Sequence, residues 1–219
     1  MPKLKMPRKS TTVDMTAMCD VAFLLLSFFI LTTKFKAAED VTVVTPKSVS
    51  TKPAEEKNVV MITMDKNGKA YFSLGDNTTE EKQEIIDAVD QQKSLGLTDK
   101  EKAAFTRSGS YVGVPFSMLK SYLQLNEDQL KKYTAPGIPL DTANNELVVW
   151  MGAANHAFTG SKMTLLVKGD NDAKYPTFKG VIDAFKKNEI FKFSMITDPE
   201  GVPEGTALAT KRESGAKED

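Results

Sequence analysis

One cysteine in 219 residues excludes an internal disulfide. With a single histidine it also excludes a zinc centre built from the usual four Cys and His ligands. Net charge is missing as well: 29 Lys and Arg balance 29 Asp and Glu. A dedicated nucleic-acid binder would carry a basic excess. Mean hydropathy lies below zero, which excludes a polytopic membrane protein. Catalytic signatures are scarce. Gly160-Ser161-Lys162 has the wrong order for a phosphate loop, and no G-x-S-x-G elbow accompanies His156. We read His156 as a surface-loop residue within GAANHAFTG, and the chain as a non-enzyme without metal or cofactor. Hydrophobic residues make up 41% of the chain, enough for a packed core.

What is present is concentrated at the N-terminus. Residues 1–12 carry Lys3, Lys5, Arg8 and Lys9 and no acid. Val21 to Leu31 then reads VAFLLLSFFIL, with Ser27 as its only polar residue. This run alone is too short to span a bilayer. Extended over residues 13–33 it forms a helix of about 32 Å, the thickness of the hydrocarbon layer. A cleaved signal peptide is the alternative, but no A-x-A site follows, and an acid at the head of its core would be out of keeping. A lipoprotein role for Cys19 fails because the apolar run follows the cysteine. The basic residues place 1–12 in the cytoplasm and residues from 34 onward across the membrane.

The span brings Asp14 and Asp20 with it. A carboxylate at membrane depth costs about 2.5–3.5 kcal/mol on insertion scales, so it rarely faces lipid. Desolvation disfavours its charged form, and such an acid can take up and release a proton, as a relay requires. Thr16 and Ser27, four before and seven after Asp20, fall on the same helix face. Asp14, nearer the basic end, reads as an interfacial or helix-start residue.

The stretch Thr12-Val13-Asp14-Met15-Thr16-Ala17-Met18-Cys19-Asp20-Val21, followed by AFLLLSFFILTT, resembles the membrane helix of the ExbD/TolR family. Thr16, Asp20 and Val21 match that pattern, and Ala17 stands where Pro is common. The resemblance implies a small stator subunit of the bacterial inner membrane, with Asp20 as the proton-carrying carboxylate. It implies two copies within a ring of a polytopic ExbB/TolQ-type subunit. The outer domain would pull on a TonB-like energy transducer or bind cell-wall peptidoglycan. The TolR branch, which serves envelope constriction, is the near alternative. A passively anchored interaction module with an inert Asp20 is the more distant one.

Beyond the span we expect a linker over 34–58 and a folded α+β domain over 59–197, with a small mixed sheet and helices packed on one face. Val41, Val43 and Val44 lie in a β-prone stretch, 41–45, that the resemblance marks as a partner-docking strand. Val59–Met64 and Ala70–Leu74 read as strands joined by a turn with an Asn-Gly signal. Thr78-Thr79-Glu80-Glu81 is a capping box opening a helix to about Ser94, with Ile85, Ile86 and Val89 on one face. The family's domain begins in the same order. Residues 95–160 depart from its compact members and read as a helical insertion. Within it Thr98–Glu101 is a second capping box, Pro115 opens a helix, 134–140 is a breaker and Glu146–Met151 a strand. Met163–Lys168, a helix from Pro176 to about Asn188, and a strand over Phe191–Met195 resemble the family again. Trp150 and the aromatics of the last helix and strand are read as core. Residues 198–219 are charged and poor in apolar residues, the composition of a disordered tail.

Overall fold

The computed structural model describes residues 15–32, 41, 43–49, 57–75, 78–107, 111–130, 132–202, 205, 206 and 209. Asp14 and most of the expected tail lie outside them. The chain divides into two compact units, 1–39 and 40–219.

In the first unit, Met15–Thr32 forms helix α1. Its 18 residues rise about 27 Å. It is long and apolar enough to cross a membrane.

The second unit is a mixed helix and sheet domain. Strands β1 (Lys47–Ser48), β2 (Val59–Met64) and β3 (Ala70–Leu74) precede helices α2 (Thr79–Lys93), α3 (Asp99–Arg107), α4 (Phe116–Leu123), α5 (Glu127–Leu130) and α6 (Leu147–Ala157). Strand β4 (Thr164–Gly169), helix α7 (Tyr175–Lys187) and strands β5 (Ser194–Ile196) and β6 (Asp198–Pro199) complete it. The main sheet has the order β3-β2-β4-β5. β2 and β3 pair antiparallel; β4 runs parallel to both β2 and β5. β1 and β6 form a separate parallel pair.

Local chemistry accounts for these elements. Asp65 turns the chain between β2 and β3: its Oδ1 accepts the amides of Asn67 at 2.9 Å and Lys69 at 2.8 Å. Gly68 follows at φ 81°, where a side chain would be strained. The capping box of α3 closes in both directions. Thr98 N–H donates to Glu101 Oε2 at 2.7 Å, and Glu101 N–H to Thr98 Oγ1 at 3.4 Å. At α2 Thr78 takes the cap position, but its hydroxyl donates to Gly75 O instead.

One sheet face forms the core. The register sets Ile62 beside both Phe72 and Val167, all three fully buried. Trp150 of α6 lies over this face and stacks on Phe72, Phe105 and Phe116, with ring centroids 5.3, 5.9 and 5.5 Å away. Residues 95–160 therefore supply the centre of the core. They also cover one sheet edge: Phe72 exchanges backbone hydrogen bonds with Val112, and Ile138 N–H donates to Ala70 O. The 134–140 breaker makes that second contact.

Four expectations are corrected. Glu146–Met151 is no strand: Glu146 caps α6, whose buried Leu147, Trp150, Met151 and Ala154 recur at helical spacing. A six-residue apolar run cannot distinguish the two states by itself. His156 accordingly sits in the last turn of that helix, not in a loop. The last strand begins at Ser194, because only Ser194–Ile196 reaches β4, and Phe191 is 76% exposed instead of core. Lys47–Ser48 and Asp198–Pro199, within the stretches read as linker and tail, pair as strands. Backbone hydrogen bonds from Asp198 to Pro46 and from Glu200 to Ser48 hold them in register, and composition does not encode those.

Candidate functional site

Asp20 is the sixth residue of α1 and is exposed, as is Thr16. On a regular helix Thr16 and Ser27 lie about 40° and 20° from it around the axis. The three sequence-chosen residues thus share one face. Ser27 Oγ donates to Leu24 O at 2.9 Å, so its hydroxyl is satisfied within the helix. Thr32 does the same toward Phe28 O at 2.8 Å. These bonds lower the penalty of placing hydroxyls in an apolar phase. The large apolar side chains of α1 are between 53% and 85% exposed. A surface of that kind is covered by lipid or by partner helices. Asp20 is the single Asp or Glu of the described helix.

The β-prone stretch behaves differently from expectation. Val41, Val43 and Val44 form no strand; the strand starts at Lys47. Val44 is nevertheless held. Its N–H donates to Asp170 Oδ2 at 3.2 Å and its carbonyl accepts Asn171 N–H at 2.8 Å. Farther along, Asp198 N–H donates to Pro46 O at 3.0 Å and Glu200 N–H to Ser48 O at 2.9 Å. Asp170 follows β4 and Asp198 follows β5, so the segment sits in the fork where those two strands part. Pro46 also lines an open, mainly apolar recess of about 250 Å³ with Met64, Ala173, Tyr175, Phe178 and Met195. No local pattern marks this recess, since its wall is assembled from four separate stretches of chain. The exposed Tyr175 and Met195 were its only local trace.

Elsewhere the polar clusters are structural. Lys102 Nζ bridges Asp87 Oδ1 and Asp90 Oδ2, each at 2.9 Å. The hydrogen bonds it donates to both carboxylates push the Lys102 ammonium up from its ordinary range. Burial works to raise Asp90, but the Lys102 contact and backbone donors outweigh it and hold the carboxyl below its usual value. Glu101 is lowered by the Thr98 amide and by Gln124. Tyr71, buried and facing Asp65, is pushed up to about 12. Among the described residues no group of three or more His, Cys, Asp or Glu could hold a metal ion.

The family model described as Biopolymer transport protein ExbD/TolR matches residues 6–200. The chain belongs to the ExbD/TolR family. The match begins before α1 and ends after β6, so it takes in the apolar helix and the domain together. No curated protein and no solved structure matches the chain. ExbD/TolR proteins are non-enzymatic inner-membrane proteins that energise biopolymer transport, and they work with ExbB/TolQ-type membrane partners.

Proposed function

We propose that this ExbD/TolR protein is a proton-motive-force-coupled stator subunit, and that Asp20 carries the proton. In this reading α1 crosses the inner membrane once, with the basic N-terminus in the cytoplasm. Two copies stand within a ring of an ExbB-type subunit and energise TonB-dependent transport at the outer membrane. Asp20 takes a proton from the outer side and releases it toward the cytoplasm. Each cycle shifts the pair relative to the ring. One charge crossing 100 mV supplies about 2.3 kcal/mol, enough to move a loosely packed interface but not to unfold a domain.

The observation that carries the reading is a carboxyl group on an otherwise bare apolar helix, with Thr16 and Ser27 on its face. Intramembrane acids are retained where they face a partner or a wet path. The chemistry belongs to α1. The domain supplies a folded load-bearing end, and residues 95–160 are an addition that enlarges its core.

The test is Asp20→Asn in the full chain, co-expressed with its ring partner. We expect loss of energy-dependent outer-membrane uptake, with membrane insertion and co-purification of the partner retained. Asp20→Glu, which keeps the titratable group, should restore part of the activity. Normal uptake in an inserted Asp20→Asn protein would exclude the proposal.

A further inference from the structure

We propose that Asn67-Gly68 is a site of succinimide formation, a self-modification of the chain, and that Asp65 holds it unreacted in the folded protein. The pair is the single Asn-Gly in the sequence. A glycine after an asparagine leaves its backbone amide unshielded, because no Cβ obstructs a close approach. Gly68 N attacks Asn67 Cγ. A new N–Cγ bond closes a cyclic imide, the Cγ–Nδ2 bond breaks, and ammonia leaves with the proton from Gly68 N. Water then opens the imide at either carbonyl. One opening gives aspartate at position 67. The other gives isoaspartate, whose main chain runs through the former side chain. Solvent water is the one co-reactant.

The fold cannot exchange the glycine for a safer residue. Gly68 stands at φ 81°, and a Cβ there would meet Thr177 Oγ1 at 2.9 Å. Asn67 is exposed, so water reaches it. Isoaspartate would add a backbone carbon to the β2–β3 turn, directly before the Met64–Ala70 pair of the ladder. Ala70 is fully buried, and its carbonyl accepts Ile138 N–H at 2.8 Å. A shift there disturbs the sheet and the 134–140 segment together.

Asp65 opposes each requirement of the reaction. Gly68 N must lose its proton; here its N–H donates to the Asp65 backbone O at 3.2 Å. The Asn67 side chain must swing until Cγ lies against Gly68 N; here Nδ2 donates to Asp65 Oδ2 at 3.1 Å, which ties it to the carboxylate. The backbone between them must pivot; here the amides of Asn67 and Lys69, on either side of Gly68, both donate to Asp65 Oδ1, at 2.9 and 2.8 Å. Charge acts in the same direction. Gly68 N attacks as an anion, and a neighbouring carboxylate disfavours a second negative charge. Asp65 is only 8% exposed, so solvent and salt screen it weakly.

The test is ageing in water labelled with heavy oxygen. The full chain is incubated at neutral pH, folded with its ring partner and unfolded in guanidinium chloride. After digestion, mass spectrometry follows the label entering at position 67. We expect labelling at least tenfold slower in the folded protein. Equal rates would overturn the proposal.

Variants isolate Asp65 from the general slowing that a fold imposes. Asp65→Asn keeps an acceptor for the amides of Asn67 and Lys69 but loses the charge and the acceptor for Asn67 Nδ2. Asp65→Ala loses every side-chain bond. Labelling at position 67 should rise at least threefold in Asp65→Asn and at least tenfold in Asp65→Ala, each in protein shown to be folded by its denaturation midpoint. If Asp65→Ala does not fold, Asp65→Asn decides. A wild-type rate in either folded variant would overturn the guard. So would an equal rise at the exposed Asn144 and Asn155, which would report a loosened domain instead of a released turn.

Discussion

Trp150 shows how much one side chain organises here. It is fully buried against three aromatic rings that come from β3, α3 and α4. Trp150→Ala should lower stability by about 3–5 kcal/mol, the range for removing a large core aromatic; denaturant unfolding of the domain would measure it. The loss should appear as lower abundance and not as a defect specific to proton coupling. Tyr71 gives a residue-scale pH prediction. Its folded value, about 12, lies above the unfolded value of 10.0. The neutral phenol is therefore favoured by the fold. Its contribution is complete below about pH 10 and is lost as the pH rises from 10 to 12. Absorbance titration should show one late tyrosine step, absent in Tyr71→Phe.

At the scale of elements, the α2–α3 pair is held by Lys102 between Asp87 and Asp90. The side chains of Lys102 and Asp90 are mostly buried, and Asp87 is half exposed. Lys102→Met removes hydrogen bonds to two carboxylates and leaves Asp90 without its cation. We expect a loss of about 1.5–3 kcal/mol, read from the denaturation midpoint. Asp90 and Glu101 are both lowered in the fold, so their stabilisation is present above their unfolded values and lost as the pH falls through the folded ones. The domain should weaken on acidification, and Lys102→Met should flatten the part of that dependence owed to Asp90. Elements with a local chemical signature were legible in the sequence. Thr98 and Glu101 mark the start of α3 by themselves, and Asp65 to Gly68 mark the β2–β3 turn. The apolar helix around Asp20 was legible for the same reason: a long apolar run needs no distant partner to be noticed. Helix α6 was not, because Leu147 to Met151 fits a strand as well as a helix until Ala154 extends the pattern. The fork was invisible too. Val44 N–H donates to the Asp170 carboxylate across 126 residues of chain, and no local pattern announces a bond between such distant positions.

At the scale of the whole molecule, two units with opposite solvent preferences share one chain. The apolar side chains of α1 are bare, whereas the second unit buries its core. A fragment from Asp40 to Asp219 should stay in the supernatant without detergent, while the full chain sediments with membranes; fractionation of the two decides this. The main sheet has two edges of unequal character. Beside β3, Val112 and Ile138 already occupy the hydrogen-bonding positions of Phe72 and Ala70. Beyond β5, no further strand is paired among the described residues. Strand addition is therefore blocked at Ala70 and Phe72 on the β3 side. Strand-to-strand association of copies cannot propagate through that edge into a fibre. Between copies of this protein, the covered edge acts as a chain terminator for polymerisation.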